Sequence, residues 1–307
     1  MRDTFIRVLE EIVEKDKDVF LITGDLGFGV LKNFWETYPD QFINAGVAEQ
    51  NMTGLATGMA LEGKTVFTYS IGNFPTLRCL EQIRNDAAYH NANVKIVAVG
   101  GGFSYGPLGM SHHATEDIAI LRALPDVMVM APGDIVETEA AVRAIYEWQG
   151  TCYLRLGRGG GKQIHKKPIN FQVGKAIQLI AGDKVAIFST GEILDQANLA
   201  TIELNDRGIS TSLYSFPTVK PIDSETIKQC AEEVDLIVTV EEHNVFGGFG
   251  SAVSEVIASM NGNRAKQIFV SLEDTYSSIV GDQDYLRDIY GISSKKIVQK
   301  ILENYTT

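Results

Sequence analysis

Short apolar runs of strand length alternate with helix-length segments along nearly all of this chain, and the alternation stops once and then restarts. Val19-Phe20-Leu21-Ile22-Thr23 is a buried-strand run, preceded by helically spaced apolar residues from Phe5 to Val13. Residues 65–69, 94–99 and 127–130 read as further strands, and 47–61 reads as a helix in which Gly54, Gly58 and the alanines allow close packing. Strands and helices alternating at this spacing predict a parallel sheet covered on both faces. The stretch from Gly157 to Pro168 then holds four glycines with Arg158, Lys162, Lys166 and Lys167, without periodicity, and reads as a linker with a solvated basic face. Beyond it strands at 184–188, 210–214, 236–240 and 267–270 alternate with helices at 193–207, 224–233, 251–259 and 295–304. The expected fold class is α/β, with two domains that each have a mainly parallel sheet covered by helices on both faces. They span 1–158 and 175–307, joined by a linker at 159–174. A length of 307 residues agrees, since one domain takes about 150.

Composition removes several function classes. Lys and Arg total 27 against 39 Asp and Glu, a net charge of −12, and a field of that sign repels nucleic-acid backbones. A small phosphorylated ligand stays compatible, because a pocket can carry local positive charge. No apolar run approaches the roughly 20 residues of a membrane helix, and the amphipathic start at Met1-Arg2-Asp3 does not read as a signal peptide. Cys79, Cys152 and Cys230 are odd in number and fit no metal spacing. A cytoplasmic protein with buried Cys79 and Cys152 is expected.

Familiar nucleotide motifs are missing. The chain has neither a Walker phosphate loop nor a G-x-G-x-x-G fingerprint: the run at Gly27-Phe28-Gly29 meets Lys32, and that at Gly100-Gly101-Gly102 meets Tyr105. Gly102-Phe103-Ser104-Tyr105-Gly106 matches the string of a hydrolase elbow, but Pro107 and Gly109 follow where a helix is required. The histidines at 90, 112, 113, 165 and 243 have no zinc spacing, so no metal ligands are expected from this chain.

The informative residues sit at predicted strand ends. Glu49 opens the small-residue helix. It is either a first-turn acid favoured by the helix dipole or a carboxyl in a dry pocket that shares a proton with a ligand nitrogen. Tyr69 and Phe74 follow the next strand, as core residues or as a platform for a ligand ring. His112 and His113 lie in a Gly/Pro-rich loop at a strand's C-terminal edge, where α/β proteins bind ligands. Asp134 has the setting of a helix N-cap.

Gly46-Val47-Ala48-Glu49-Gln50-Asn51-Met52 resembles the helix start of the pyrimidine-binding domain of the transketolase family of thiamine diphosphate enzymes. Glu81-Gln82-Ile83-Arg84-Asn85-Asp86, Ser111-His112-His113, Leu121-Arg122-Ala123-Leu124-Pro125 and Tyr153-Leu154-Arg155-Leu156-Gly157-Arg158 resemble later motifs of that domain. Glu241-Glu242-His243 with the glycines from Gly247 is similar to the family's C-terminal domain. The family's diphosphate and Mg²⁺ site uses a Gly-Asp-Gly, and the Gly-Asp pairs here continue with Leu26, Ile135, Lys184 and Gln283. The resemblance therefore implies a β-type subunit of a split transketolase that carries half of each site. A diphosphate-binding N-terminal-half subunit would supply the Mg²⁺ ligands, in an α₂β₂ assembly.

The resemblance also implies roles. Glu49 would bond the pyrimidine N1′ and favour its imino tautomer, with Tyr69 or Phe74 stacked on that ring and Asp25 bordering the thiazolium. Glu49 and His112 would be the catalytic pair, His112 and His113 would contact the sugar substrate, and Arg158 would grip its distal phosphate. Three departures concern the acceptor: Leu108 replaces an acid that reads a hydroxyl, Gly100 replaces a His, and Gly29 replaces a Ser. An unpaired hydroxyl beside Leu108 would cost about 1–3 kcal/mol, so a modified sugar is expected in place of an ordinary pentose phosphate. The alternatives are a β subunit of a 2-oxoacid decarboxylase or dehydrogenase, a relative of deoxyxylulose phosphate synthase, and a non-catalytic assembly subunit. Glu242 and His243 could form a subunit contact or an ion site, or belong to a tight strand-to-helix turn.

Overall fold

The apolar runs become the strands of two sheets in the computed structural model, which describes residues 1–159, 161–166 and 168–305. In chain order the strands are β1 (Val19–Thr23), β2 (Phe42–Asn44), β3 (Thr65–Ile71), β4 (Val94–Val99), β5 (Val127–Met130), β6 (Thr151–Leu156), β7 (Ile177–Ile180), β8 (Val185–Ser189), β9 (Thr211–Ser215), β10 (Thr218–Lys220), β11 (Leu236–Asn244) and β12 (Lys266–Leu272). Among the described residues the first sheet has the order β10-β5-β6-β4-β3-β1-β2 and the second β12-β11-β8-β9-β7. All pairs are parallel except β10 with β5 and β7 with β9.

Alternate residues of the first sheet serve two cores. Leu21, Phe67, Tyr69, Val97 and Leu154 pack with Phe5, Val8 and Leu9 of the helix Arg2–Lys15 and with Val142 and Ile145 of the helix Ile135–Glu147. Ile22, Val66, Ile96 and Val129 face the other way, onto Met52 and Ala56 of the helix Glu49–Leu61. That second core continues into the C-terminal region through Phe188, Phe216, Phe249 and Val253. Strand β10 also crosses over: chain from the C-terminal region completes the edge of the first sheet. A boundary in sequence thus separates neither the two sheets completely nor the packing between them.

The expected linker is anchored. His165 is buried with Nδ1 3.2 Å from Asp134 and Nε2 3.1 Å from Glu137. Asp134 caps its helix by accepting from the N–H groups of Val136 and Glu137, and also accepts from those of Ile164 and His165. Lys162 pairs with Asp195 at 2.7 Å and Lys166 is exposed, whereas Lys167 lies outside the described residues. Burial pulls the His165 ring towards neutrality, but its bond to Asp134 and the charges of Glu137 and Asp134 outweigh this and hold its pKa above the usual value. Burial raises Glu137 too, against the opposing His165 charge. The His165 shift favours the fold fully below the unfolded histidine value of about 6.5, and that contribution is lost as pH rises through the folded value, whereas the Glu137 shift contributes fully only below the unfolded carboxyl value of about 4.3. Thermal unfolding is expected to shift to lower temperature between pH 6 and 9. His165→Gln should flatten that slope, and an unchanged slope in the variant would contradict the assignment.

Candidate functional site

The parallel pairing sends the loops after β1, β3, β4 and β6 out of the same edge of the first sheet. The chain passes from β1 outward to β2 and returns to β3 on the other side of β1, so connections diverge between β1 and β3. Such a switch point opens a crevice at the carboxyl edge of an α/β sheet. Gly24 follows β1 there, Glu49 begins the helix after β2, and Phe74 and Arg78 follow β3.

Glu49 is 5% exposed, and its side chain lies against Gly24. The helix it opens starts two residues later than the pattern suggested, because Gly46 has φ +75° and Ala48 is not helical. No side chain caps this helix. Arg78 Nη1 is 3.3 and 3.2 Å from the two carboxylate oxygens of Glu49. The same guanidinium lies over the Phe74 ring, 4.4 Å from its centroid. The Phe74 ring in turn meets His112 edge-on at 5.2 Å. Phe74 and Arg78 line a cavity of about 570 Å³ with Ser111, His113, Glu116 and Tyr276.

The neighbouring loops hold this arrangement in place. Asn44 accepts from the N–H groups of Asp25 and Gly46 and donates to the Asp25 carboxylate at 2.9 Å, which ties the β1 loop to the approach to Glu49. Asp25 itself is exposed, with φ +56°. Asn73 donates to the His113 carbonyl at 2.7 Å, joining the β3 loop to the histidine loop. His112 is half-buried with Nδ1 3.0 Å from the Ser111 hydroxyl. His113 is buried, and burial lowers its pKa. Its Nε2 lies 3.2 Å from the Gly106 carbonyl. A carbonyl can only accept, which leaves Nδ1 as an unpaired acceptor.

Gly100-Gly101-Gly102 is a seat for side chains. A β-carbon at Gly100 would lie 2.2 Å from the Tyr105 ring, one at Gly101 2.7 Å from the Arg155 guanidinium, and one at Gly102 2.5 Å from Glu242. The Arg158 guanidinium stacks on the other part of this assembly, 4.9 Å from the Tyr105 ring centroid. Ser104 donates to the Gly101 carbonyl and to Glu192, and a short 3₁₀ turn, Gly106–Leu108, follows it. It does not have the setting of a nucleophile elbow. Gly100→Ala, at φ +100°, is expected to cost about 1–3 kcal/mol by overpacking. Combining it with Tyr105→Ala should recover only the overpacking part of the loss in chemical denaturation, because the positive φ strains any β-carbon at this position.

Tyr69 is not with these residues. Its ring stacks on Phe5 at 6.0 Å in the opposite core, and burial raises its hydroxyl pKa. Of the two rings offered by the sequence, only Phe74 is beside Glu49's partner. Arg78, Asn44 and Tyr105 were not singled out from the sequence; no spacing rule marks them, and they matter through contacts between loops. Glu241, Glu242 and His243 are buried inside the chain. Glu241 accepts from the N–H groups of Phe249 and Gly250, at the start of a helix. Glu242 pairs with Arg287 at 2.7 Å, and His243 Nε2 accepts from the Ala119 N–H. Of the readings left open for this segment, the tight strand-to-helix turn accounts for the Glu241 bonds, and Glu242 and His243 make contacts within this chain that the sequence did not suggest.

Comparison with known proteins identifies close relatives. The family described as transketolase, pyrimidine binding domain matches residues 1–162, and transketolase, C-terminal domain matches residues 174–297. An apulose-4-phosphate transketolase chain of Phocaeicola vulgatus, one of that enzyme's subunits, is 34% identical over 304 residues, covering 98% of this chain and 96% of that protein. A 6-deoxy-6-sulfo-D-fructose transketolase subunit of a Clostridium species is 34% identical over 300 residues, covering 97% and 92%. A solved split-gene transketolase, described as an inactive β4 tetramer, superposes with a TM-score of 0.90 at 32% identity, covering 98% of this chain and 97% of that one.

Proposed function

The chain belongs to the transketolase family, and from that premise we propose that it is the β-type half of a split, thiamine-diphosphate-dependent transketolase. The enzyme would move a two-carbon ketol unit from a ketose to an aldehyde acceptor. The observation that carries this reading is Glu49, a carboxylate withdrawn from water at a helix start, beside a half-buried ring on Phe74. Its only hydrogen-bond donor among the described residues is the half-exposed Arg78, at distances longer than the usual 2.7–2.9 Å of charge-assisted bonds. Such a carboxylate has capacity left for a ring nitrogen, and an adjacent aromatic face suits the ring itself. The residues present therefore fit an aminopyrimidine.

Bound thiamine diphosphate supplies the nucleophilic carbon for ketol transfer. The chain's own groups would hold and orient what surrounds it. Glu49 would hold the pyrimidine N1′ through a shared proton, in a pocket dry enough to strengthen that bond. Phe74 would supply the stacking face, and Asp25, held by Asn44, would border the thiazolium. His112 and the unpaired Nδ1 of His113 face sugar hydroxyl or carbonyl groups, and Arg158, braced on Tyr105, receives the substrate's anionic end.

A partner subunit would bring the diphosphate and Mg²⁺ ligands, most simply as α₂β₂. Exposed apolar side chains on the loops and helices around the site, among them Phe28, Val47, Leu77, Leu108 and Met110, suit coverage by a partner. Leu108 is 53% exposed in the histidine loop, and two relatives are named for modified sugars. We therefore assign a modified sugar as one substrate. Among the described residues no helix is long and apolar enough to cross a membrane. The three cysteines are free and buried, which suits a cytoplasmic setting.

Calorimetry with thiamine diphosphate and Mg²⁺ tests the half-site. Binding is expected only when this chain is mixed with a partner subunit that carries Gly-Asp-Gly, and Glu49→Ala should weaken it. Tight binding by this chain alone would overturn the half-site reading. CO₂ release from pyruvate by the mixture would favour the 2-oxoacid decarboxylase or synthase alternative.

A further inference from the structure

We infer that Arg78 is a placeholder for the ligand ring, occupying the space between Phe74 and Glu49 until the cofactor displaces it. The inference rests on the reading that Glu49 and Phe74 receive the aminopyrimidine. Its basis is a coincidence of two contacts in one flat group. The guanidinium lies on the Phe74 face, 4.4 Å from the ring centroid, and one of its nitrogens points at both oxygens of the buried Glu49 carboxylate. A stacked, planar group with N–H donors aimed at that carboxylate is what an aminopyrimidine would also present. Arg78 thus satisfies in advance both interactions that a ring ligand would make.

Three features separate a placeholder from a permanent partner. The Arg78 side chain is 52% exposed whereas Glu49 is 5% exposed, so the cation can swing into water while the carboxylate cannot follow. Its bonds of 3.2–3.3 Å are long for a guanidinium–carboxylate pair. Arg78 also hydrogen-bonds no other described residue that would fix it in the cavity. It sits just before the short turn at Leu80–Gln82, on a stem with several rotatable bonds.

Chemistry gives the contact a consequence. A guanidinium donates hydrogen bonds but stays protonated at neutral pH and does not give up a proton to a carboxylate, so Arg78 cannot take the part of a ring nitrogen that shares a proton with Glu49. While Arg78 is in place, Glu49 is neutralised and shielded from water, which removes the cost of an unpaired buried charge in a subunit without ligand. The same contact holds the half-site in an occupied, inactive state. Ligand binding must break a stacking contact and an ion pair before its own can form.

The test is calorimetric titration of the complex between the full chain and its partner subunit with thiamine diphosphate and Mg²⁺. Four proteins are compared: the unaltered chain, Arg78→Ala, Arg78→Met and Glu49→Ala. Arg78→Met keeps an apolar stem against Phe74 and guards against a loss of packing in the Ala variant. Displacing an ion pair that is exposed only on its Arg78 side, together with a cation–π contact, predicts about three- to tenfold tighter binding in both Arg78 variants. Unchanged or weaker binding in both, with Glu49→Ala still weakening it, would overturn the placeholder and leave the proposed function standing. A tightening in only one variant would also overturn it, because it would trace to the introduced side chain. If Glu49→Ala leaves binding unaltered, the reading of the half-site fails, and the placeholder fails with it.

Discussion

Glu49→Gln is expected to lower kcat of the assembled enzyme by about 10²- to 10⁴-fold, the range that a positioned proton-exchanging group supplies. The amide keeps the size and hydrogen-bonding capacity of the side chain but cannot share a proton with a ring nitrogen. Folding should be little affected, because the residue facing Glu49 is the half-exposed Arg78, which can rehydrate when the pair is lost. Two measurements separate these effects: steady-state ketol transfer in the presence of the partner subunit, and denaturant unfolding of this chain. A loss of turnover with an unaltered unfolding midpoint places Glu49 in the chemistry. Retained turnover would remove it from that role, and an equal fall in stability would make its effect structural.

The second large effect is expected at Arg155, on stability. Arg155 is buried, with Nε 2.8 Å from Asp117 and Nη2 donating to the carbonyls of Ala114 and Glu242. Asp117 is fully buried, and its remaining side-chain donor among the described residues is the Tyr153 hydroxyl. Arg155→Met strands this carboxylate and two carbonyls away from water. Breaking one side of a buried pair costs about 3–5 kcal/mol, and urea denaturation should read a loss of that size. The double variant Arg155→Met/Asp117→Leu should recover much of it, since removing both charges also removes the desolvation penalty. If the double variant is no more stable than the single one, the cost lies in packing against Gly101 and the loop. Arg155 also joins the histidine loop, through Ala114, to the C-terminal region, through Glu242. Its loss should therefore loosen the position of His112 as well.

Much of the framework was legible in the chain. The runs at 19–23, 94–99 and 127–130 became β1, β4 and β5 with the same bounds, because short runs of β-branched and aliphatic residues buried on both faces have few alternatives. Strands of three or four residues, β2, β7 and β10, were not read. Each lies at a sheet edge and is only partly buried, so none shows the fully apolar run that marked β5 at the same short length. The small-residue helix and its first acid were visible, as was the loop that carries His112 and His113. The choice between Tyr69 and Phe74 was not, since the strand runs on to Ile71 and its alternation sends Tyr69 into the opposite core, whereas Phe74 lies in the loop beyond.

The sequence by itself determined the α/β class, the two-part organisation, the family and the residue types offered at the strand ends. These follow from local periodicity and short motifs, which neighbours along the chain specify. Only the tertiary structure decided which side chains meet: Arg78 between Phe74 and Glu49, Tyr105 on bare Gly100 beneath Arg158, and Glu242 against Gly102. It also sent β10 from the C-terminal region into the first sheet. Such contacts join residues from different loops, and the order and twist of the strands between them set their distances. Local pattern carries no information on that scale, so the chemistry was visible in the residues and its assembly only in the fold.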